Sequence, residues 1–104
     1  MAIKELLKEE LGNSLRMERD YCRELAKLPR GSLVRKIVRG RSYYYVAVRE
    51  ADRVRFRYLR KPEESKLEVY RAAKKSRAQY RALLADVRRQ IRFIRRALNA
   101  KQAV

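Results

Sequence analysis

Apolar and polar residues alternate most clearly in the middle of the chain, over residues 42–49 and 53–60. A repeat of two residues is typical of strands that bury one face and expose the other. The polar break between the two runs, Glu50-Ala51-Asp52, predicts a β-hairpin with a three-residue loop. This loop pairs Arg49 with Arg53, Ala47 with Arg55, Tyr45 with Arg57 and Tyr43 with Leu59. A two-residue loop would slip the pairing by one residue and mix the two faces, so the pattern favours the longer loop.

The predicted register gives the hairpin two unlike surfaces, because successive side chains of a strand point to opposite faces. The predicted core face consists of Tyr44, Val46, Val48, Val54, Phe56 and Tyr58. The predicted solvent face consists of Tyr43, Tyr45, Arg49, Arg53, Arg55 and Arg57. Arginine and tyrosine together on an exposed sheet are the first indication of a binding surface in this chain.

The N-terminal segment, residues 2–28, is predicted to be helical because its apolar residues recur at three- and four-residue spacing. Gly12-Asn13-Ser14 either divides this segment into two helices or lies within a single helix, at a cost of ~1 kcal/mol for the glycine. The pattern leaves both alternatives open.

A first strand is predicted over residues 33–39, which are rich in β-branched side chains. A short connection at Gly40 joins it to the hairpin, so residues 33–60 should form a three-stranded antiparallel meander. The length of that connection is undecided, and so is whether Arg35 or Lys36 joins the solvent face. With its helices, the chain is expected to be a single α+β domain over residues 1–104.

A long C-terminal helix is predicted over residues 62–98. Lys61-Pro62-Glu63-Glu64 suits a helix start, and Ser65 with Glu68 is a candidate capping box. The apolar positions follow a heptad, at Tyr70, Ala73, Tyr80, Leu84, Val87, Ile91, Ile94 and Leu98, broken by Arg77. Some 35 helical residues span roughly 50 Å, which is longer than a small domain. We therefore expect part of the stripe to pack on the N-terminal helix and the rest to form a dimer or higher oligomer. The expected interface is Tyr80, Leu84, Val87, Ile91, Ile94 and Leu98.

The net charge of the chain adds most to the interpretation of its function. Twenty-nine Lys and Arg residues stand against twelve Asp and Glu residues, giving a formal net charge of +17. Arginine supplies most of the cations, and it is the residue that forms forked contacts to phosphate and packs on aromatic planes. A compact domain this basic usually neutralises a polyanion, although a basic surface without a partner is the alternative.

The residue types in the chain also limit the metal sites, cofactors and reactions that we expect. The chain has no histidine and a single cysteine, Cys22, so no metal site, cofactor or catalytic constellation is expected and the protein is not expected to be an enzyme. A lone cysteine, the lack of a signal peptide and the lack of a long apolar run lead us to expect a cytoplasmic protein with no membrane partner.

The expected function is therefore non-enzymatic binding of nucleic acid, DNA or RNA, by a basic sheet face with help from the basic helix. The candidate nucleic-acid-binding residues are Arg39, Arg41, Tyr43, Tyr45, Arg49, Arg53, Arg55 and Arg57. Exposed aromatics can stack on bases while arginines contact phosphates. In one alternative, the cations on the strands only prevent the edge of the sheet from pairing with a strand of another chain. Another is a small antitoxin-like or adaptor subunit that covers an acidic protein surface.

Residues 28–33 (LPRGSL) and 40–64 (GRSYYYVAVREADRVRFRYLRKPEE), followed by a long charged helix, resemble a widespread prokaryotic family of small uncharacterised proteins. The shared features are a Tyr-Tyr strand, a charged turn, a strand ending in Tyr and a Lys-Pro-Glu step into a helix. The resemblance covers roughly residues 28–98 and implies a fold but no activity; many relatives carry a cysteine-rich segment that this chain lacks. The strand pattern is also similar, more weakly, to the arm-binding domains of tyrosine recombinases, which bind DNA through a three-stranded sheet.

Overall fold

A computed structural model describes residues 2–100, and its helices and strands follow the predicted order. They are α1 (Ile3–Lys27), β1 (Ser32–Val38), β2 (Arg41–Glu50), β3 (Arg53–Leu59) and α2 (Glu64–Asn99). The strands form one antiparallel sheet in the order β1-β2-β3. The α+β prediction is therefore confirmed.

The chain is organised as two compact units. One contains residues 2–27 and 78–100 and is called the helical unit here; the other is Leu28–Arg77, called the sheet unit. Helix α2 contributes residues to both units. Each unit has its own apolar core.

The core of the helical unit lies between α1 and the second half of α2. Its members are Leu84, Val87 and Ile91, with Leu11, Leu15, Tyr21 and Leu25 packed against them. The rings of Tyr21 and Tyr80 lie 6.2 Å apart, and Arg88 Nε is 3.0 Å from Glu18 Oε2. Helix α1 thus covers the apolar stripe of α2 within one chain.

This packing gives most of the heptad residues a role within a single chain. Leu84, Val87, Ile91 and Ile94 are all buried within a single chain, whereas Tyr80 and Leu98 are half-buried. The apolar character of the four buried residues is accounted for by folding, and it no longer argues for an interface between subunits. Oligomerisation itself stays a prediction.

Helix α1 runs unbroken through Gly12-Asn13-Ser14, so of the two alternatives the single helix is correct. Ser14 is 2% exposed and is a buried polar residue of the helix. A Cβ at Gly12 would lie 3.8 Å from Arg16 Nη1, an ordinary contact. Neither space nor backbone conformation therefore requires glycine at this position.

The core of the sheet unit lies between one face of the sheet and the first turns of α2. Its buried members are Val46, Leu59 and Leu67, with Leu33, Tyr44, Val48 and Tyr70 packed against them. The Glu63 carbonyl accepts hydrogen bonds from the backbone amides of Lys66 (3.0 Å) and Leu67 (3.2 Å) and so begins the helix. Ser65 therefore lies inside the first turn, and the candidate capping box with Glu68 is not formed.

Arg77, the residue that breaks the heptad, has a structural contact of its own. Its Nη2 donates a 2.8 Å hydrogen bond to the Pro29 carbonyl, and this contact is partly buried. The guanidinium therefore fastens α2 to the segment that leads into β1. A leucine at this heptad position could not make that bond.

Candidate nucleic-acid interface

The connection between β2 and β3 is a two-residue turn, Ala51-Asp52. Glu50 pairs with Arg53, and further along the ladder Tyr45 pairs with Tyr58 and Tyr44 pairs with Leu59. Ala51 has φ 55°, a left-handed conformation at the first turn position. Two-residue turns are the commonest hairpin connection because their twist matches that of the flanking strands. The predicted three-residue loop is wrong, and the register is shifted by one residue.

Burial of Leu59 explains why this register is adopted. Opposite Tyr44, Leu59 shares a face with Val46 and packs under Leu67 of α2; it is 5% exposed. The predicted pairing with Tyr43 would have turned Leu59 away from the helix. A one-residue slip moves every side chain of a strand to the other face, so burial of this leucine decides the orientation of all of β3.

The consequence is that the two predicted faces of the hairpin exchange their β3 residues. Val54, Phe56 and Tyr58 lie on the face opposite the core; Phe56 is 61% exposed. Arg53, Arg55 and Arg57 lie on the core side instead. The predicted arginine-tyrosine face, and the burial predicted for Phe56, are therefore wrong.

We call the sheet surface opposite the core the open face. It carries Ser32, Val34, Lys36, Val38, Arg41, Tyr43, Tyr45, Ala47, Arg49, Val54, Phe56 and Tyr58. The structure brings together four predicted site residues here, Arg41, Tyr43, Tyr45 and Arg49. It adds Phe56 and Tyr58, which sequence reasoning missed, and Lys36, which the pattern had left open against Arg35. The general preference for two-residue hairpin turns was the signal that could have found them.

Three tyrosine rings form a cluster at the centre of the open face. The Tyr45 and Tyr58 centroids lie 5.3 Å apart with the rings inclined at 51°, and the Tyr43 and Tyr58 centroids lie 6.5 Å apart at 40°. Lys36 Nζ lies 5.7 Å from the Tyr45 centroid, within the range of a cation–π contact. The open face is thus aromatic at its centre.

Cations border the aromatic cluster at both ends of β2. Arg49 is next to the hairpin turn, whereas Arg41 is at the β1–β2 turn, near Lys36. The sheet unit as a whole holds sixteen Lys and Arg residues against five Asp and Glu residues. An anion near this unit therefore meets a strongly positive potential.

Three arginines of the opposite face have partners within the sheet unit. Arg55 Nε lies 3.0 Å from Glu50 Oε2, and Arg57 Nη2 donates to Tyr70 Oη at 3.3 Å. Arg35, which β1 also turns to this side, donates to Ser42 Oγ at 3.0 Å. These contacts account for the three side chains without a ligand.

Arg39 lies in the other turn of the sheet. Arg39 and Gly40 both have positive φ, 53° and 78°, and Val38 pairs with Arg41 across them. Positive φ at both central residues is the type I′ pattern. The first connection therefore also has two residues, which places Lys36 rather than Arg35 on the open face.

The basic surface of α2 is partly neutralised by nearby acids. Arg71 is hydrogen-bonded to Glu64 and also contacts Glu68, and the hydrogen bond to Glu64 raises the pKa of Arg71. Arg89 pairs with Asp86. Within residues 2–100, no ion pair involves the exposed arginines Arg92, Arg95 and Arg96.

Residues 2–100 contain no group of three or more Cys, Asp and Glu side chains placed to hold a metal ion. Over the same residues, neither helix contains a stretch apolar enough to cross a membrane.

Comparison with known proteins gives one match. A family model described as "Domain of unknown function (DUF6788)" matches residues 2–69, which include α1, the whole sheet and the start of α2. No curated protein and no solved structure is significantly similar to the chain. Because the model covers more than half of its length, the chain belongs to the DUF6788 family, whose function is uncharacterised.

Proposed function

We propose that this protein binds nucleic acid without catalysis, through the open face of its sheet. The observation that carries the proposal is the aromatic cluster of Tyr43, Tyr45 and Tyr58, bordered by Lys36, Arg41 and Arg49. Aromatic rings offer stacking surfaces to bases, and cations at the border neutralise phosphates.

Charge favours a polyanion over a second copy of the chain. Two open faces brought together would place Lys36, Arg41 and Arg49 of each copy near the same cations of the other, and like charges repel. A nucleic acid supplies the opposite charge at regular spacing.

An acidic protein is the second candidate, and the exposure of Phe56 and Val54 favours it. They are 61% and 48% exposed, and contiguous exposed apolar side chains often mark a protein interface. The adaptor role would use the same surface. Salt dependence separates the two, because release of counterions from nucleic acid gives a steep linear fall of log affinity with log salt.

Two further expectations belong to this proposal. We infer that the protein has no catalytic turnover, since histidine is lacking throughout the chain. We also infer a cytoplasmic location, on the basis of the lone Cys22.

The experiment compares two triple variants with equal changes in net charge. The open-face variant is Lys36→Gln, Arg41→Gln and Arg49→Gln. The matched control, on the opposite face, is Arg53→Gln, Arg55→Gln and Arg57→Gln. Binding of labelled oligonucleotides is titrated over a range of salt concentrations.

We expect the open-face variant to flatten the salt slope, by about 0.7–0.9 for each phosphate that it no longer neutralises. The control should keep a slope near that of the wild type. Equal weakening by both variants would show that net charge rather than the open face drives binding. Absence of binding by the wild-type protein would refute the proposal.

A further inference from the structure

We propose that the open face takes unpaired bases, so that the ligand is single-stranded nucleic acid, stacked on Tyr43, Tyr45, Tyr58 and Phe56. This inference rests on the proposed function and goes further by naming the form of nucleic acid. It follows from ring accessibility, from residue spacing and from the kinds of side chain that the face lacks.

Ring accessibility comes first. Phe56 is 61% exposed and Tyr58 is 49% exposed, although both belong to a strand of a three-stranded sheet. The Tyr45 and Tyr58 rings are inclined at 51° rather than stacked in parallel, and Tyr43 and Tyr45 are half-buried. A base in a duplex has both faces covered by its neighbours, whereas an unpaired base can place one face on a ring.

The spacing of the rings favours separated bases. The centroids of the Tyr45 and Tyr58 rings lie 5.3 Å apart, and those of the Tyr43 and Tyr58 rings lie 6.5 Å apart. Bases of one strand in a stacked duplex rise by only ~3.4 Å. Two successive bases can therefore occupy two neighbouring rings only when the nucleic-acid strand is extended and unstacked.

The composition of the open face leaves few ways to read a duplex through its grooves. In the major groove, Asn or Gln contacts adenine, Asp or Glu contacts cytosine, and Arg or Lys contacts guanine. None of the first four residue types is present on the open face. Only Arg41, Arg49 and Lys36 can form charged contacts; Arg41 and Arg49 lie towards the two ends of β2, whereas Lys36 Nζ lies 5.7 Å from the Tyr45 centroid.

The positions of the cations suit a nucleic-acid strand that lies along β2. Arg49 and Arg41 are eight residues apart, ~27 Å, with Tyr45 and Tyr43 between them. Both arginines are on the same face as the rings. Phosphates on either side of the stacked bases can therefore each meet an arginine.

The experiment uses two variants of one ring, Tyr58→Leu and Tyr58→Phe, in the full chain. Leucine keeps an apolar side chain and removes the π face, whereas phenylalanine keeps the ring and removes only the hydroxyl. Affinity is measured for a short single strand, for its duplex and for the same backbone with abasic sites, in DNA and in RNA, at near-physiological salt. Thermal melts establish that both variants fold.

The expected result is tighter binding of the wild-type protein to the single strand than to the duplex or the abasic strand. Tyr58→Leu should bind the single strand roughly 5- to 150-fold more weakly, the range for one stacked base, and so lose most of the preference for the single strand over the abasic strand. Tyr58→Phe, which keeps the ring, should recover that preference.

Two results would overturn the inference. If the wild type binds duplex and abasic strand as tightly as the single strand, and Tyr58→Leu changes nothing, bases are not stacked here; the proposed function would survive as binding through phosphates. If the wild type binds none of the ligands, the proposed function fails and the inference fails with it.

Discussion

Tyr45 on β2 lies directly opposite Tyr58 on β3, and the centroids of their rings are 5.3 Å apart. This pairing exists only because the hairpin turn has two residues. With the three-residue loop that alternation predicts, Tyr45 would face Arg57 and Tyr58 would enter the core. The aromatic cluster of the open face is thus a direct product of strand register.

The register predicts that truncating two residues of β3, one on each face, lowers the stability by unequal amounts. Leu59→Ala should lower the free energy of unfolding by ~2–5 kcal/mol, because it leaves a cavity beside Val46 and Leu67. Phe56→Ala should cost about 1 kcal/mol or less, since Phe56 is mostly exposed. Urea unfolding of both variants measures the difference. A Phe56 variant as unstable as the Leu59 variant would contradict the observed register.

Replacing Gly12 and replacing Gly31 by alanine should change the stability in opposite directions. Gly12→Ala should stabilise the protein by ~0.5–1 kcal/mol, because alanine favours a helix and its Cβ has room. Gly31→Ala should destabilise it, since Gly31 has φ +105° and the new Cβ would overlap Val46 Cγ1. Thermal melts compare the two variants. A Gly12 variant that melts below the wild type would show that α1 is not continuous there.

A substitution at Arg77 tests whether stability depends more on a regular heptad or on the hydrogen bond to the Pro29 carbonyl. Arg77→Leu completes the heptad but leaves the Pro29 carbonyl without its donor, so it should destabilise the protein by about 1.5–3 kcal/mol. Arg81→Leu, at an exposed position of the same helix, is the control and should change stability by ~0.5 kcal/mol or less. Chemical unfolding provides the measurement; a stabilised Arg77 variant would favour the heptad.

A substitution at Ile91 distinguishes a role in folding from a role in association between subunits. Because Ile91 is 4% exposed within one chain, Ile91→Asp should destabilise the helical unit by several kcal/mol, at any protein concentration. Phe93→Asp, at a side chain 63% exposed, should leave stability nearly unchanged. Unfolding curves at two concentrations, together with sedimentation, test this. A folded Ile91 variant that only changes from oligomer to monomer would restore the expected subunit interface.

The helices show how far sequence patterns reach and where they stop. The three- and four-residue spacing of α1 and α2 predicted both helices, because helical periodicity is a local property. The same spacing does not identify what covers the stripe. Leu11, Leu15 and Leu25 of α1 cover Leu84, Val87 and Ile91 of α2, although sequence length had suggested a second subunit for part of that stripe.

The sequence by itself determined the order of the elements, the α+β class and the strong positive charge, since these follow from local periodicity and composition. Only the tertiary structure decided which side chains share a face. Val54, Phe56 and Tyr58 alternate as a core face would, yet Leu59 takes the buried position because it meets Leu67 of α2. The period of a strand is two residues, so that single long-range contact turned the aromatic side chains of β3 outward and its arginines toward the core side.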